Sequence, residues 1–133
     1  MRASDIRTFR RQVELISRGD YDAALALDAP EVEIVTRDPD VAITGVWHGR
    51  EGHRDLLAEW DAAWNGPTVY EIEEIIPAGD RFVAVARYRA VGAGSGVEVE
   101  GTFVWLCEYR DGLLRRWETF ATREQALLAA NAG

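Results

Sequence analysis

Both histidines of the chain lie in one stretch, VWHGREGHRDLLAEWDAAW (residues 46 to 64), which also holds three of the five tryptophans. Histidine is a common metal ligand and exchanges protons near neutral pH. His48 and His53 are five residues apart with two glycines between them, whereas paired zinc-binding histidines on a helix are four apart. There is no third histidine, and the single cysteine lies far along the chain. We therefore predict no metal site and no cofactor.

His53 belongs to a predicted helix over residues 50 to 64, where it shares an apolar stripe with Leu57, Trp60 and Trp64. A histidine on such a stripe either packs in the core or, if the stripe borders a cavity, acts as a general base or acid. His53 is therefore a candidate catalytic residue. Cys107 is not, because a thiol in an apolar strand is normally inert packing.

The tryptophans are the second chemical signal. Trp60 and Trp64 lie one helical turn apart, and Trp105 and Trp117 fall on predicted strands. Core packing alone is one explanation. Indole rings also line ligand cavities, because they combine a large apolar area with an N–H group that needs a partner. We favour an aromatic cavity wall.

The amino-acid composition limits the classes of partner that the protein could bind. The 133 residues carry 23 acidic and 15 basic side chains, a net charge of -8, which argues against nucleic acid or an anionic membrane as a partner. All basic residues are arginine, which is typical of a GC-rich bacterial genome. The lone cysteine and the lack of a long apolar run predict a cytoplasmic protein with no membrane segment. The length fits one domain over residues 1–133.

The order of predicted elements is α-α-β-β-α-β-β-β-β-α, an α+β fold. We expect the helices to cover one face of a curved antiparallel sheet. Ser4 is the expected cap of the first helix, and Gly19 its end. The predicted helices cover residues 5–18, 21–28, 50–64 and 123–130, and the longer strands cover 31–37, 68–76, 81–91, 97–109 and 113–121.

The strand at 97–109 alternates apolar and acidic residues, so Trp105 and Cys107 are expected to point inward. Val104 and Leu106 interrupt the outer polar face, and we interpret them as a contact of a homodimer formed through the outer sheet face.

The turn that follows has two possible registers. A two-residue Asp111–Gly112 turn would put Glu118 opposite Trp105 and point it into the pocket. A three-residue loop from Arg110 to Gly112 would instead set Trp105 opposite Trp117 and send Glu118 to solvent. We prefer the second register, because it buries less charge. In this register, four residues of the last strand point inward: Leu113, Trp117, Thr119 and Ala121.

Several segments together resemble SnoaL-like proteins of the nuclear transport factor two superfamily: SRGDYDAALAL, GVWHGREGHRDLLAEW, SGVEVE and RDG followed by REQAL. The resemblance covers nearly the whole chain. It implies a cone of curved sheet over three helices, a cavity at its wide end and frequent homodimers. Members include isomerases, cyclases, dehydratases, epoxide hydrolases and non-catalytic adaptors, so the fold alone does not name a reaction.

The ketosteroid isomerases of this superfamily can be compared position by position. Their phenol, base and protonated acid fall on Gln12, Ile34 and Trp105, none of which has the required chemistry. Asp38, four residues beyond the base position, is the second candidate catalytic residue. The epoxide-hydrolase pattern of two carboxylates and an arginine would draw on Asp38, Arg87, Arg89 and Glu118, but no local motif selects them.

The sequence therefore predicts a pocket for a small, apolar, ring-containing molecule. Asp38 and His53 are its candidate groups for isomerase, cyclase, dehydratase or hydrolase chemistry. A non-catalytic ligand-binding or protein-interaction dimer is the alternative. The predicted ligand-binding residues are Gln12, Trp47, Leu57, Trp60, Trp64, Trp105 and Trp117.

Overall fold

A six-stranded sheet with four helices forms the part of the chain described by the computed structural model, residues 2–36, 44–64, 68–92 and 94–132. The element order is the predicted one. No described helix is long and apolar enough to cross a membrane. The helices are Ala3–Ser17 (α1), Tyr21–Leu25 (α2), Gly49–Ala63 (α3) and Arg123–Asn131 (α4), and the strands are Asp28–Thr36 (β1), Gly45–His48 (β2), Val69–Ala78 (β3), Arg81–Val91 (β4), Glu98–Arg110 (β5) and Leu113–Phe120 (β6).

The strands lie in the order β2-β1-β6-β5-β4-β3. The α+β class is confirmed, with one difference from an all-antiparallel sheet: β1 runs parallel to β6. This pairing brings the first and last strands together in the middle of the sheet. Consequently Ile34 is the neighbour of Trp117, and Thr36 is the neighbour of Thr119.

The inner face of the sheet packs against α1, α2 and α3. Phe9 of α1 is fully buried, and its ring contacts those of Phe82, Trp105 and Trp117 at 5.1 to 6.1 Å between centroids. Such edge-to-face contacts add to the stabilisation that comes from burying apolar area. This side of the sheet therefore holds the main core.

The outer face of the sheet is covered in part by α4, so the helices do not all lie on one side. Val104 and Leu106 are buried in a second apolar cluster with Ala126 and Ala130 of α4. Val104 and Leu106 thus form an apolar strip on the outer face, as predicted, but α4 of the same chain covers this strip. It therefore gives no support to the dimer contact that we expected there.

The β5–β6 hairpin contradicts the three-residue loop. Arg110 pairs with Leu113 across a two-residue turn, in which Asp111 and Gly112 have φ of 54° and 79°, as a type I′ turn requires. A bulge then places both Arg115 and Arg116 opposite Glu108. The bulge restores the expected facing of the later residues, so Trp117 and Thr119 point inward.

The bulge also corrects the residues expected at either end of β6. Leu114 is fully buried in the main core, whereas Leu113 is half-buried and Ala121 is exposed. Glu118 is buried on the outer face with Arg116, not directed to solvent.

The helix termini follow the sequence in part. Gly19 ends α1 with φ of 76°, the left-handed conformation that glycine tolerates best. Thr122 caps α4, because its hydroxyl oxygen accepts a hydrogen bond from the main-chain N–H of Gln125 at 3.1 Å. Ser4 was wrong as a cap, because α1 begins at Ala3, two residues before the predicted start, and Arg2 is its N-cap. Pro30 lies inside β1, which begins three residues after the last residue of α2.

Candidate functional site

A cavity opens between α3 and the inner face of the sheet, with a volume of ≈ 80 Å³ open to the centres of water-sized molecules. This is room for several water molecules or one small ring. Strands β1, β5 and β6 form its floor, and α3 forms one wall. Its lining residues are Ile16, Tyr21, Ile34, Thr36, His53, Leu56, Leu57, Trp60, Thr68, Tyr70, Phe103, Trp105, Trp117 and Thr119.

His53 and Asp28 form a buried pair at the cavity. His53 Nδ1 lies 2.6 Å from Asp28 Oδ2, with 3% of His53 and 0% of Asp28 exposed. When Asp28 is ionised it can only accept, so Nδ1 carries the ring proton. The lone pair of the neutral imidazole is then on Nε2, at the opposite edge of the ring. The Trp117 indole contacts this ring edge-on at 6.2 Å between centroids.

Asp28 is held by two further residues, Gln12 and Arg50. Gln12, fully buried on α1, donates from Nε2 to Asp28 Oδ1 at 2.6 Å and to the Ala24 carbonyl at 3.0 Å. Tyr109 in turn donates to Gln12 Oε1 at 3.1 Å. Arg50 clamps the main-chain carbonyl of Asp28 with Nε and Nη2 at 2.9 and 2.7 Å. A carboxylate supported in this way keeps its orientation when the imidazole gains or loses a proton.

A second group of polar side chains lies at the other end of α3. The Tyr21 hydroxyl donates to Asp61 Oδ1 at 2.7 Å, and the Trp60 indole N–H donates to Thr68 Oγ1. Burial raises the pKa of Tyr21, and the hydrogen bond to Asp61 raises it further. Burial also raises the pKa of Tyr70 and outweighs the opposite effect of Thr68. Both phenols are therefore neutral at physiological pH.

A family model for the SnoaL-like domain matches residues 9–117. The chain belongs to the SnoaL-like family. A search of curated proteins finds no significant match to this SnoaL-like chain. Among solved structures, TerC co-crystallised with polyporic acid is similar at a TM-score of 0.79 and 22% identity, covering 92% of this chain and 95% of that one.

Two bacterial proteins show the same likeness. An NTF2-like protein of unknown function from Burkholderia pseudomallei K96243 has a TM-score of 0.78 and 20% identity, with 96% and 97% of the two chains covered. A Mycobacterium tuberculosis protein in complex with estradiol-17β-hemisuccinate has a TM-score of 0.75 and 16% identity, with 92% and 97% covered. At these identities the structures establish the shared NTF2-like fold of the SnoaL-like protein.

Four of the seven residues predicted to bind ligand line the cavity: Leu57, Trp60, Trp105 and Trp117. Trp105 and Trp117 meet edge-to-face at 4.8 Å between centroids, although Trp105 pairs with Thr119 and not with Trp117 in the sheet.

The other three lie outside the lining. Gln12 lies behind the cavity, beneath Asp28. Trp47 packs half-buried at the edge of the main core, and Trp64 packs against Trp60 with its ring centroid 5.9 Å away.

The predicted acid–base groups divide in the same way. His53 is at the cavity, whereas Asp38 lies outside the described residues. The arginines and glutamate of the epoxide-hydrolase pattern do not meet in the cavity. Arg87 and Arg89 are exposed, and Glu118 is bound to Arg116 on the outer face. His48 is 72% exposed and lies beside Glu33, away from His53.

Asp28 is the acid–base residue that sequence reasoning missed. It is separated from His53 by 25 positions, so no local spacing connects the two. The one available signal was its setting, a single carboxylate in the otherwise apolar segment ALALDAP just before a strand. A buried charge in such a segment calls for a partner.

Proposed function

We propose that this SnoaL-like protein binds a small, largely apolar, ring-containing molecule and moves a proton on it through the Asp28–His53 pair. The carrying observation is the buried contact of 2.6 Å between His53 Nδ1 and Asp28 Oδ2 at the edge of an aromatic cavity. We further propose a homodimer, as the resemblance implies, and a cytoplasmic location, which the single cysteine and the lack of a long apolar run support.

The Asp28–His53 geometry supports a general base. The carboxylate fixes the tautomer that leaves Nε2 unprotonated, and it stabilises the imidazolium that forms after proton uptake. Its supports, Gln12 and Arg50, reduce the reorganisation that proton transfer requires. Isomerisation, cyclisation and dehydration all include a step in which a base removes a proton, so the pair fits this group of reactions.

The lining supports an apolar ligand. Trp60, Phe103, Trp105 and Trp117 offer flat ring surfaces for stacking. No arginine or lysine is among the described lining residues, so a phosphate or sugar phosphate would find no charge partner there. The complexes of TerC with polyporic acid and of the M. tuberculosis protein with estradiol-17β-hemisuccinate show that related folds hold small organic molecules.

The role of His53 as a base is tested with 5-nitrobenzisoxazole, a flat heterocycle. Its isoxazole ring opens when a base removes the proton from the ring carbon next to nitrogen. The N–O bond breaks, and the coloured 2-cyano-4-nitrophenolate forms without any other reactant. We expect catalysis by the wild-type protein and a loss of kcat/KM of about 10²-fold or more in His53→Gln. Asp28→Asn should also lose activity, because the amide can no longer stabilise the imidazolium.

His48→Gln is the matched control, because this exposed histidine lies outside the cavity; its kcat/KM should equal that of wild type. Binding is followed separately by quenching of tryptophan fluorescence. Retained binding with lost turnover in His53→Gln supports the base. Equal turnover in wild type, His53→Gln and Asp28→Asn would contradict it. Binding without any turnover would instead favour the non-catalytic binding module.

A further inference from the structure

The cavity has two separate polar ends along α3. His53 lies near the start of this helix and Asp61 near its end, eight residues later. At the rise of an α-helix, this places the two about 12 Å apart along the axis. Leu57 and Trp60 lie between them on the cavity wall. Among the lining residues, His53 marks one polar end, with Asp28 behind it, and Tyr21 marks the other, with Asp61 behind it. The remaining polar groups of the lining are hydroxyls, those of Thr36, Thr68, Tyr70 and Thr119.

The Tyr21–Asp61 pair has a defined hydrogen-bonding character. The Tyr21 hydroxyl proton is committed to Asp61 Oδ1 at 2.7 Å, so the phenol oxygen is left as an acceptor. The Asp61 carboxylate also only accepts when ionised. A ligand group that meets this pair must therefore donate a hydrogen bond. An ether or carbonyl oxygen, which can only accept, would meet the accepting phenol oxygen of Tyr21, with the Asp61 carboxylate behind it.

The neighbouring Trp60 preserves this character. The Trp60 indole N–H, a donor that could otherwise serve a ligand acceptor, is occupied by Thr68 Oγ1, and Thr68 is 2% exposed. The Tyr21 phenol lines the cavity and is neutral at physiological pH because of its burial and of Asp61. Its proton therefore stays in the bond to the carboxylate, and the oxygen stays an acceptor.

We propose that the Tyr21–Asp61 pair selects apolar ring compounds that carry a hydrogen-bond donor, such as a phenolic hydroxyl, at the end remote from His53. This inference deepens the function proposed above and rests on its cavity. The donor anchors the molecule at one end of α3 and so fixes which end of it points towards the imidazole. A ligand without the donor would bind in more than one orientation and more weakly.

Three probes of nearly equal size test this selection: 4-propylphenol, its methyl ether 4-propylanisole, and propylbenzene. Dissociation constants are measured from the shifts of the tryptophan indole N–H signals in 1H–15N NMR spectra. We expect the wild-type protein to bind the phenol about tenfold or more tightly than the ether, as a hydrogen bond to a charged acceptor pair allows. In Tyr21→Phe this ratio should fall to about one, because the accepting oxygen is gone.

Asp61→Ala is the second variant, and it changes the ratio by another route. Without Asp61 the Tyr21 hydroxyl is free to donate, so the ether should gain affinity and the ratio should fall. Asp22→Asn is the matched control, since this carboxylate on α2 is exposed and pairs with Arg54; the ratio should stay at the wild-type value. Circular dichroism confirms that each variant is folded.

The result separates this inference from the base proposal. His53→Gln should abolish ring opening of 5-nitrobenzisoxazole and leave the ratio of phenol to ether affinity intact, because His53 lies at the other end of α3. A wild-type ratio near one, or an unchanged ratio in both Tyr21→Phe and Asp61→Ala, would overturn the selection even if His53 proves to be the base. Absence of binding by all three probes would overturn it as well.

Discussion

Individual side chains at the site are fixed by burial and pairing. Asp28 is fully buried, and an uncompensated carboxylate in that position would be costly. The His53 ring and the Gln12 amide compensate the carboxylate, and the Arg50 guanidinium binds the main-chain carbonyl of the same residue. Gln12 is therefore a positioning residue, because it touches Asp28 and not the cavity.

Gln12→Leu tests this role at the scale of one residue. Leucine has a similar volume but leaves Asp28 Oδ1 and the Tyr109 hydroxyl without their partner. We expect the free energy of unfolding to fall by about 1–3 kcal/mol, measured by guanidinium denaturation. With 5-nitrobenzisoxazole as substrate, the fold decrease in kcat should exceed the fold change in KM, because Asp28 is no longer held in place. Gln125→Leu is the control, because Gln125 is an exposed glutamine on α4, and this variant should keep both the wild-type free energy of unfolding and the wild-type kcat. Wild-type values of both quantities in Gln12→Leu would contradict the positioning role.

The sequence predicted one member of the pair and not the other. His53 was found because helical spacing places it on an apolar stripe. Asp28 was missed because its partner is distant in sequence, and the contact exists only once α2, β1 and α3 are packed. The alternation of β5 and the helical periods also predicted the cavity residues Trp60, Trp105 and Leu57, since each depends on the period of a single element.

At the scale of elements, the β5–β6 hairpin decides which residues of β6 reach the cavity. The two-residue turn alone would have pointed Glu118 inward, and the bulge at Arg115 and Arg116 reverses that. Both arginines face the outer acidic residues, since Arg115 pairs with Glu108, and Arg116 with Glu33 and Glu118. A bulge adds one residue without a marker in the residue pattern, so the alternation could not reveal it.

The turn itself is testable, because both of its residues have positive φ. Gly112→Val should lower the free energy of unfolding by about 1–2 kcal/mol, since a β-branched residue is strained in the left-handed region. Asp111→Asn should have no cost, because Asn-Gly is the preferred type I′ pair. Urea denaturation of both variants measures the difference. Equal stabilities of Gly112→Val and wild type would show that the chain tolerates another turn.

At the scale of the whole molecule, the sheet separates two apolar clusters, one on each of its faces. Its inner face carries the aromatic core and the cavity, and its outer face carries the smaller cluster under α4. Alternation along β5 predicted both faces, but not what covers the outer one. Which surface covers an apolar strip depends on the chain path after β6, and α4 is held there through the Arg81 side chain, which donates to the Ala130 carbonyl.

The buried phenols and thiol make the whole fold sensitive to alkali. Burial raises the pKa of Tyr70, Tyr109 and Cys107 above the ordinary values of 10.0 for tyrosine and 9.0 for cysteine. Above those values the unfolded chain releases protons that the folded protein retains, so the free energy of unfolding falls as pH rises. Their contribution is complete below pH 9 and is lost progressively above it.

We therefore expect these groups to leave the midpoint urea concentration of unfolding constant up to about pH 9. The midpoint should then fall steeply towards about pH 11. The absorbance of tyrosinate from the buried phenols should appear together with the loss of circular dichroism, because these phenols ionise only when the core opens. Tyr70→Phe should show a shallower fall than wild type, since one buried phenol no longer titrates. Tyrosinate from every tyrosine at about pH 10 in a chain that is still folded would contradict the buried packing of the aromatic core.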